Sequence, residues 1–178
     1  VFSFKLRGAF NCMFQLSEEE KRRGVVAASA GNHAQGVAIA GQKLGIETTI
    51  VMPKITPEIK IKGVKSFGGK AVLVGNDFDD AFAHAMELCE KQGLTFIHPF
   101  DDLDVIAGQG TIGIELLKQH PEPIDIVFVC VGGGGLLSGI ASYVKYMSPS
   151  TKVIGVEHEE ASSMTESLKQ GKVVELET

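Results

Sequence analysis

Tryptophan is absent from the 178 residues, tyrosine occurs twice, and aromatic residues make up only 7% of the chain. Basic residues are also scarce: 17 Lys and Arg stand against 22 Asp and Glu, a formal charge of −5. That balance argues against nucleic acid as a partner, which would need a basic face to neutralise phosphates. No apolar run approaches the roughly 18 residues needed to cross a bilayer. The first residues lack the basic stretch and long apolar run of a signal peptide, so neither membrane nor export is expected. The three cysteines, Cys12, Cys89 and Cys130, have no CxxC spacing. They exclude a disulfide frame or zinc site and read as thiols in a reducing compartment. Low-complexity linkers and internal repeats are missing as well.

What remains is apolar and rich in glycine. Hydrophobic residues at 44% fit a globular chain, sized for one medium domain or two small lobes. There are 21 glycines in 178 residues, well above the usual ~7%. Strand-like and helix-like segments alternate. Strands are expected at "GVVAAS", "IETTIVM", "KAVLVG", "IDIVFVCV" and "KVIGVE", and a weak one at "LTFIH". Helices are expected from His33 to Gly45, from Thr56 as N-cap with Pro57 first in the helix, from Asp77 to Gly93, from Asp104 to Gln119, and after Gly135. Apolar strands separated by helices indicate an α/β fold with a mostly parallel sheet covered on both faces. In such sheets ligands bind beyond the carboxyl ends of strands, so the loops that follow strands matter most.

Two of those loops stand out. In "VCVGGGGLLSG" four glycines, Gly132 to Gly135, join the most apolar strand to a helix. Bare N–H groups at a helix N-terminus cradle an anion, usually phosphate. A P-loop is excluded because Ile140 follows Gly139 where lysine should stand. A dinucleotide pattern nearly fits, as Gly133-x-Gly135-x-x-Ser138 with Glu157 further on, so a Rossmann-type NAD(P) oxidoreductase is the alternative. In "AASAGNHAQG" the residues Ser29, Ala30, Gly31, Asn32 and His33 form a second cradle, with Ser29 or Asn32 also suited to cap the next helix. A nucleotide needs one cradle, whereas a phosphate and a substrate carboxylate need two. Near the N-terminus, Lys5 sits between Phe4 and Leu6. A partly buried lysine has a depressed pKa and can react with an aldehyde, and an aromatic face such as Phe4 can stack on a planar ring. Lysine, phosphate cradle and carboxylate cradle together suit pyridoxal phosphate and an amino acid.

The segments "SFKLRGA", "ASAGNHAQG", "PFDDLDVIAGQGTIGIEL" and "VGGGGLLSG", in this order and spacing, resemble the serine/threonine dehydratase branch of fold-type II pyridoxal-phosphate enzymes, including biosynthetic threonine dehydratase. The resemblance spans essentially the whole chain. It implies the tryptophan synthase β-like fold, with two lobes that each carry a mostly parallel sheet flanked by helices. Residues 1–23 and 100–178 would belong to the large cofactor-binding lobe and 24–99 to the small lobe, with cofactor and substrate between them. Lys5 is then the Schiff-base lysine and Phe4 packs on the cofactor ring. Asn32 bonds the cofactor's 3′-oxygen, Gly132, Gly133, Gly134, Gly135 and Leu136 hold the phosphate, and Ser29, Ala30, Gly31, Asn32 and His33 surround the substrate carboxylate. The implied reaction is β-elimination of water from L-threonine or L-serine, giving 2-oxobutanoate or pyruvate and ammonia, a step of isoleucine biosynthesis when threonine is used. His33 favours dehydratases over cysteine and threonine synthases. Ala30 stands where serine racemases carry a second serine, and a methyl group cannot move a proton.

The same resemblance implies a cytoplasmic homo-oligomer, or an organellar one where a transit peptide precedes these residues. Family members extend further at both ends, so the chain is expected to be a fragment; a second alternative is a catalytically incomplete fragment that acts only as a folding or binding unit. "GVEHEEASS" resembles a segment that binds a divalent or monovalent cation in some relatives, through Glu157 and the Ala161 carbonyl, but Ser163 replaces the following acid. "EEEKRR" reads as a solvated helix end. Asp101, Asp102 and Asp104 read as helix-starting residues, and His84, His98, His120 and His158 as surface or packing residues.

Overall fold

The structure, a computed structural model, describes residues 3–174 and Leu176. Positions 1, 2, 175, 177 and 178, at the ends of the expected lobe segments, lie outside the described residues. The chain divides into two compact units with the boundary between Pro99 and Phe100.

The first unit is built on four parallel strands, β1 (Val25–Ala28), β2 (Thr48–Met52), β3 (Lys70–Leu73) and β4 (Thr95–Phe96), in the order β3-β2-β1-β4. Helices α1 (Lys5–Gln15) and α2 (Glu18–Arg23) precede β1, and α3 (Asn32–Leu44), α4 (Glu58–Ser66) and α5 (Phe78–Gln92) lie between strands. Side chains alternate across the sheet. Val26, Ala28 and Val51 pack with Ala81 and Ala85 of α5, while Val25, Ala27 and Ile50 point the other way and are fully buried. Both faces are therefore covered, as the unbroken apolar strands require. The chain steps outward from β1 to β3 and then returns to place β4 on the other side of β1. Strand order thus reverses at β1, and the segments leaving β1 and β4 emerge side by side, since Val25 pairs with Thr95 and Val26 with Phe96 in parallel. Such a reversal opens a crevice at the carboxyl ends of the strands.

Helix α1 was not foreseen. Its buried residues Gly8, Ala9, Cys12 and Met13 form one stripe, and Lys5 lies on that stripe one turn earlier. The stripe packs on α3. At Gly36 a Cβ would come within 3.1 Å of the Lys5 carbonyl carbon and the Leu6 nitrogen. Within residues 1–23, helix α1 packs against α3. A second difference is at α4: Pro57 keeps an extended ψ of 138° and is itself the N-cap, without a side-chain cap bond. Thr56 is therefore not the cap, and its buried hydroxyl has no partner among the described residues.

The second unit contains α6 (Leu103–Gln119), β5 (Ile126–Cys130), α7 (Gly135–Met147), β6 (Lys152–Val156), a 3₁₀ turn (Glu159–Ala161) and α8 (Ser163–Gln170). Strands β5 and β6 pair in parallel. Val129 packs with Ile140 and Val144 of α7, but Phe128 on the opposite face is 65% exposed. The expected cover on both faces is thus present on one face of this sheet. Asp102 caps α6 by accepting from Val105 N–H at 2.9 Å, as its position suggested.

Because backbone rather than a flexible side chain opposes Gly36, Gly36→Ala is expected to destabilise the protein by about 1–3 kcal/mol. Denaturant unfolding of the whole protein checks this, and an unchanged midpoint would mean that the α1–α3 contact can relax.

Candidate functional site

Lys5 opens α1 and is half-buried, with its Nζ donating to the Pro99 carbonyl at 2.5 Å. The amine lies 5.4 Å from the centre of the Phe4 ring. Burial, which disfavours the ammonium form, holds its pKa below the ordinary lysine range. Such an amine is more available as a base and nucleophile near neutral pH than a solvated lysine.

The turn after β1 is tied to the same segment, through the bond between His33 and the Ile97 carbonyl. Ser29 Oγ accepts from Gly31 N–H at 3.2 Å and Ala34 N–H at 3.3 Å, so it secures the turn and the first turn of α3. The backbone N–H groups of Ala30, Asn32 and His33 have no acceptor among the described residues. Asn32 is exposed at the turn. Gly31 has neither a left-handed φ nor any atom within 4 Å of where its Cβ would lie. Open space over unpaired N–H groups at the N-terminus of a thirteen-residue helix suits a carboxylate.

His33 is buried, and its Nε2 is 2.9 Å from the Ile97 carbonyl. Desolvation, opposed by that bond and reinforced by Lys5 and His98, lowers its pKa to about 4. The ring is therefore neutral at ordinary pH.

In the second unit, the N–H groups from Gly132 to Leu136 have no acceptor among the described residues, at the N-terminus of α7. The four glycines are not equivalent. A Cβ on Gly133 would lie 2.3 Å from the Phe100 ring, and one on Gly135 would lie 2.5 Å from the Phe100 carbonyl oxygen. Gly134 has φ +87°. Gly132 faces open space with no such demand. Packing and conformation thus account for three glycines, and Gly132 leaves the room an anion would use. A desolvated amine, an aromatic face and two sets of unpaired N–H groups fit the chemistry of pyridoxal phosphate and an amino acid.

Glu157 does something else. Its Oε1 accepts from Met164 N–H at 2.9 Å, and its Oε2 accepts from Thr165 N–H at 2.8 Å and Thr165 Oγ1 at 2.7 Å. These bonds hold its pKa below the usual carboxylate range and make it a remote cap for α8. Ala161 ends the preceding 3₁₀ turn. Among the described residues, no group of three or more His, Cys, Asp or Glu side chains could hold a metal ion.

Parallel sheets with unpaired N–H groups at strand-to-helix turns, and a desolvated lysine at one of them, define an α/β enzyme class built for an anionic cofactor. The chain belongs to the pyridoxal-phosphate dependent enzyme family, whose model matches residues 1–178. It is 60% identical over 177 residues to a threonine dehydratase of Nicotiana attenuata, covering 99% of this chain and 29% of that protein. The processed form of threonine deaminase isoform 2 from Solanum lycopersicum superposes with a TM-score of 0.98 at 57% identity, over 100% of this chain and 52% of that one. Maize serine racemase superposes with a TM-score of 0.94 at 38% identity, over 99% and 53%. The chain thus spans about a third to a half of these relatives. The fold is fold-type II, as expected, and family membership replaces the nicotinamide alternative.

Two outcomes follow. Gly132→Ala should leave folding within about 0.5 kcal/mol while weakening pyridoxal-phosphate binding, whereas Gly133→Ala should destabilise the fold by about 1–3 kcal/mol; cofactor titration and denaturant melts of both variants check the division. The folded pKa of His33 lies below its ordinary value of 6.5, so the unfolded chain takes up the proton first. The stabilisation is present above about pH 6.5 and is lost as pH falls through about 4, a change on the order of 3 kcal/mol. Denaturant midpoints across this range should fall more steeply for the wild type than for His33→Gln.

Proposed function

We propose that the chain is part of a pyridoxal-phosphate-dependent dehydratase that converts L-threonine, and L-serine less readily, to the 2-oxo acid and ammonia. The observation that carries this reading is the half-buried Lys5 amine beside Phe4, fixed on the Pro99 carbonyl two residues after the Ile97 carbonyl that His33 binds. The family match and the threonine-acting relatives named above support it. Pyridoxal phosphate, when bound, draws electrons away from the Cα of the amino acid attached to it.

The chain's own residues supply the rest. Lys5 would hold the cofactor through its amine and, once free, would take the proton from the substrate Cα. Phe4 would lie against the cofactor ring, and the Asn32 side chain would bond the ring oxygen. The N–H groups of Gly132, Gly133, Gly134, Gly135 and Leu136 would hold the phosphate. Ser29, Ala30, Gly31, Asn32 and His33 surround the carboxylate, His33 through its main-chain N–H. The β-hydroxyl leaves as water, and hydrolysis of the released product yields ammonia. Ala30 has no group to deliver a proton to the opposite face of Cα, so racemisation is slow.

In the whole protein, residues 1–23 and 100–178 would belong to the cofactor lobe and 24–99 to the smaller lobe. The active protein is a homo-oligomer of the cytoplasm or of an organelle. No helix among the described residues is long and apolar enough to cross a membrane.

The test uses the whole protein. Borohydride treatment with pyridoxal phosphate should add the cofactor mass to the peptide that contains Lys5, and threonine should release ammonia. Lys5→Ala should lose both, with a rate loss of at least about 1,000-fold. Cofactor mass on another lysine would contradict the assignment.

A further inference from the structure

The buried imidazole of His33 has a bonding pattern that does not suit a ring in contact with a carboxylate. It is 3% exposed, and its Nε2 lies 2.9 Å from the Ile97 carbonyl oxygen. A carbonyl only accepts, so Nε2 carries the hydrogen. Nδ1 is then a lone pair, buried and without a protein donor among the described residues. A second proton is disfavoured by burial and by the two titratable groups that act on the ring, Lys5 from α1 and His98 from the segment after β4. The ring therefore has no hydrogen to offer a carboxylate, and only the main-chain N–H of His33 does.

The bond to Ile97 has a different consequence. Ile97 directly follows β4, and two residues later the Pro99 carbonyl accepts from Lys5 Nζ. One short segment is thus fastened to the first turn of α3 at Ile97 and to the Lys5 amine at Pro99. Ile97 N–H in turn donates to Val26 of β1 at 2.9 Å, so the segment is anchored to the sheet as well.

We propose that His33 is a positioning residue: its Nε2–H bond to Ile97 holds the Ile97–Pro99 segment, and through the Pro99 carbonyl sets where the Lys5 amine rests and how dry it is kept. This rests on the reading of Lys5 as the reacting amine, but the link itself is a property of the folded chain.

Two substitutions separate the bond from the bulk of the ring. Glutamine in His33→Gln can place its amide N–H near the position of Nε2, whereas the shorter asparagine in His33→Asn reaches only the position of Nδ1. In the whole protein without cofactor, labelling of Lys5 by an amine-reactive reagent across pH, read by mass spectrometry, reports the availability and pKa of that amine. His33→Asn should move the labelling midpoint toward the ordinary lysine range and change the labelling rate by about tenfold, and His33→Gln should return both most of the way to wild type. In the loaded enzyme, His33→Asn should lower kcat for threonine by about 100-fold with little change in KM, and His33→Gln should recover most of that loss. Identical labelling in wild type and both variants would overturn the proposal, as would equal shifts in both variants or a loss confined to KM. If the labelling shift appears but wild-type protein releases no ammonia from threonine, the positioning role stands and the proposed activity fails.

Discussion

The first unit depends on keeping one amine half out of water at a place where a ligand can still reach it. A lysine on the buried stripe of a helix would normally be a liability, because desolvation of the ammonium group is costly without a partner. Here the Pro99 carbonyl supplies the partner and Phe4 an adjacent π face. The partner exists because the strand order reverses at β1 and brings β4 alongside it. A change of topology would remove the carbonyl, and with it the means to hold Lys5 partly dry.

Glycine serves two ends in the anion cradles. Gly133, Gly134 and Gly135 are set by the Phe100 contact and by a left-handed φ. Gly31 and Gly132 answer to no such demand and leave open space above unpaired N–H groups. A sequence of four identical residues thus combines a structural turn with the beginning of a binding surface. The close approach of α1 to α3 at Gly36 applies the same economy of space to the lysine, whose backbone is the atom group in contact.

Much of this was legible in the residues alone. The α/β alternation, the six strands, helices α3 to α7, and the two strand-to-helix turns follow from apolar periodicity and glycine placement, whereas α8 was not expected. Helix α1 was not, because a lysine and Gly8 share its buried stripe and its ends carry no side-chain cap, no acidic residue in the first turn and no basic residue in the last. Pro57 as N-cap depends on a ψ value that the residue type leaves open. The role of Glu157 as a cap for α8 needs partners seven and eight residues away, and that of the His33 ring needs a carbonyl 64 positions on. Long-range main-chain acceptors leave no mark in a local pattern. They explain why the residues of the site could be named while the hydrogen bonds that orient them could not.

The most direct measurement of the central claim is a crystal structure of the whole protein grown with pyridoxal phosphate. The account predicts continuous density between Lys5 Nζ and the cofactor's aldehyde carbon, with the phosphate against the N–H groups of Gly132 to Leu136. A cofactor whose phosphate occupies that loop while Lys5 stays on the Pro99 carbonyl, out of bonding reach, would contradict it.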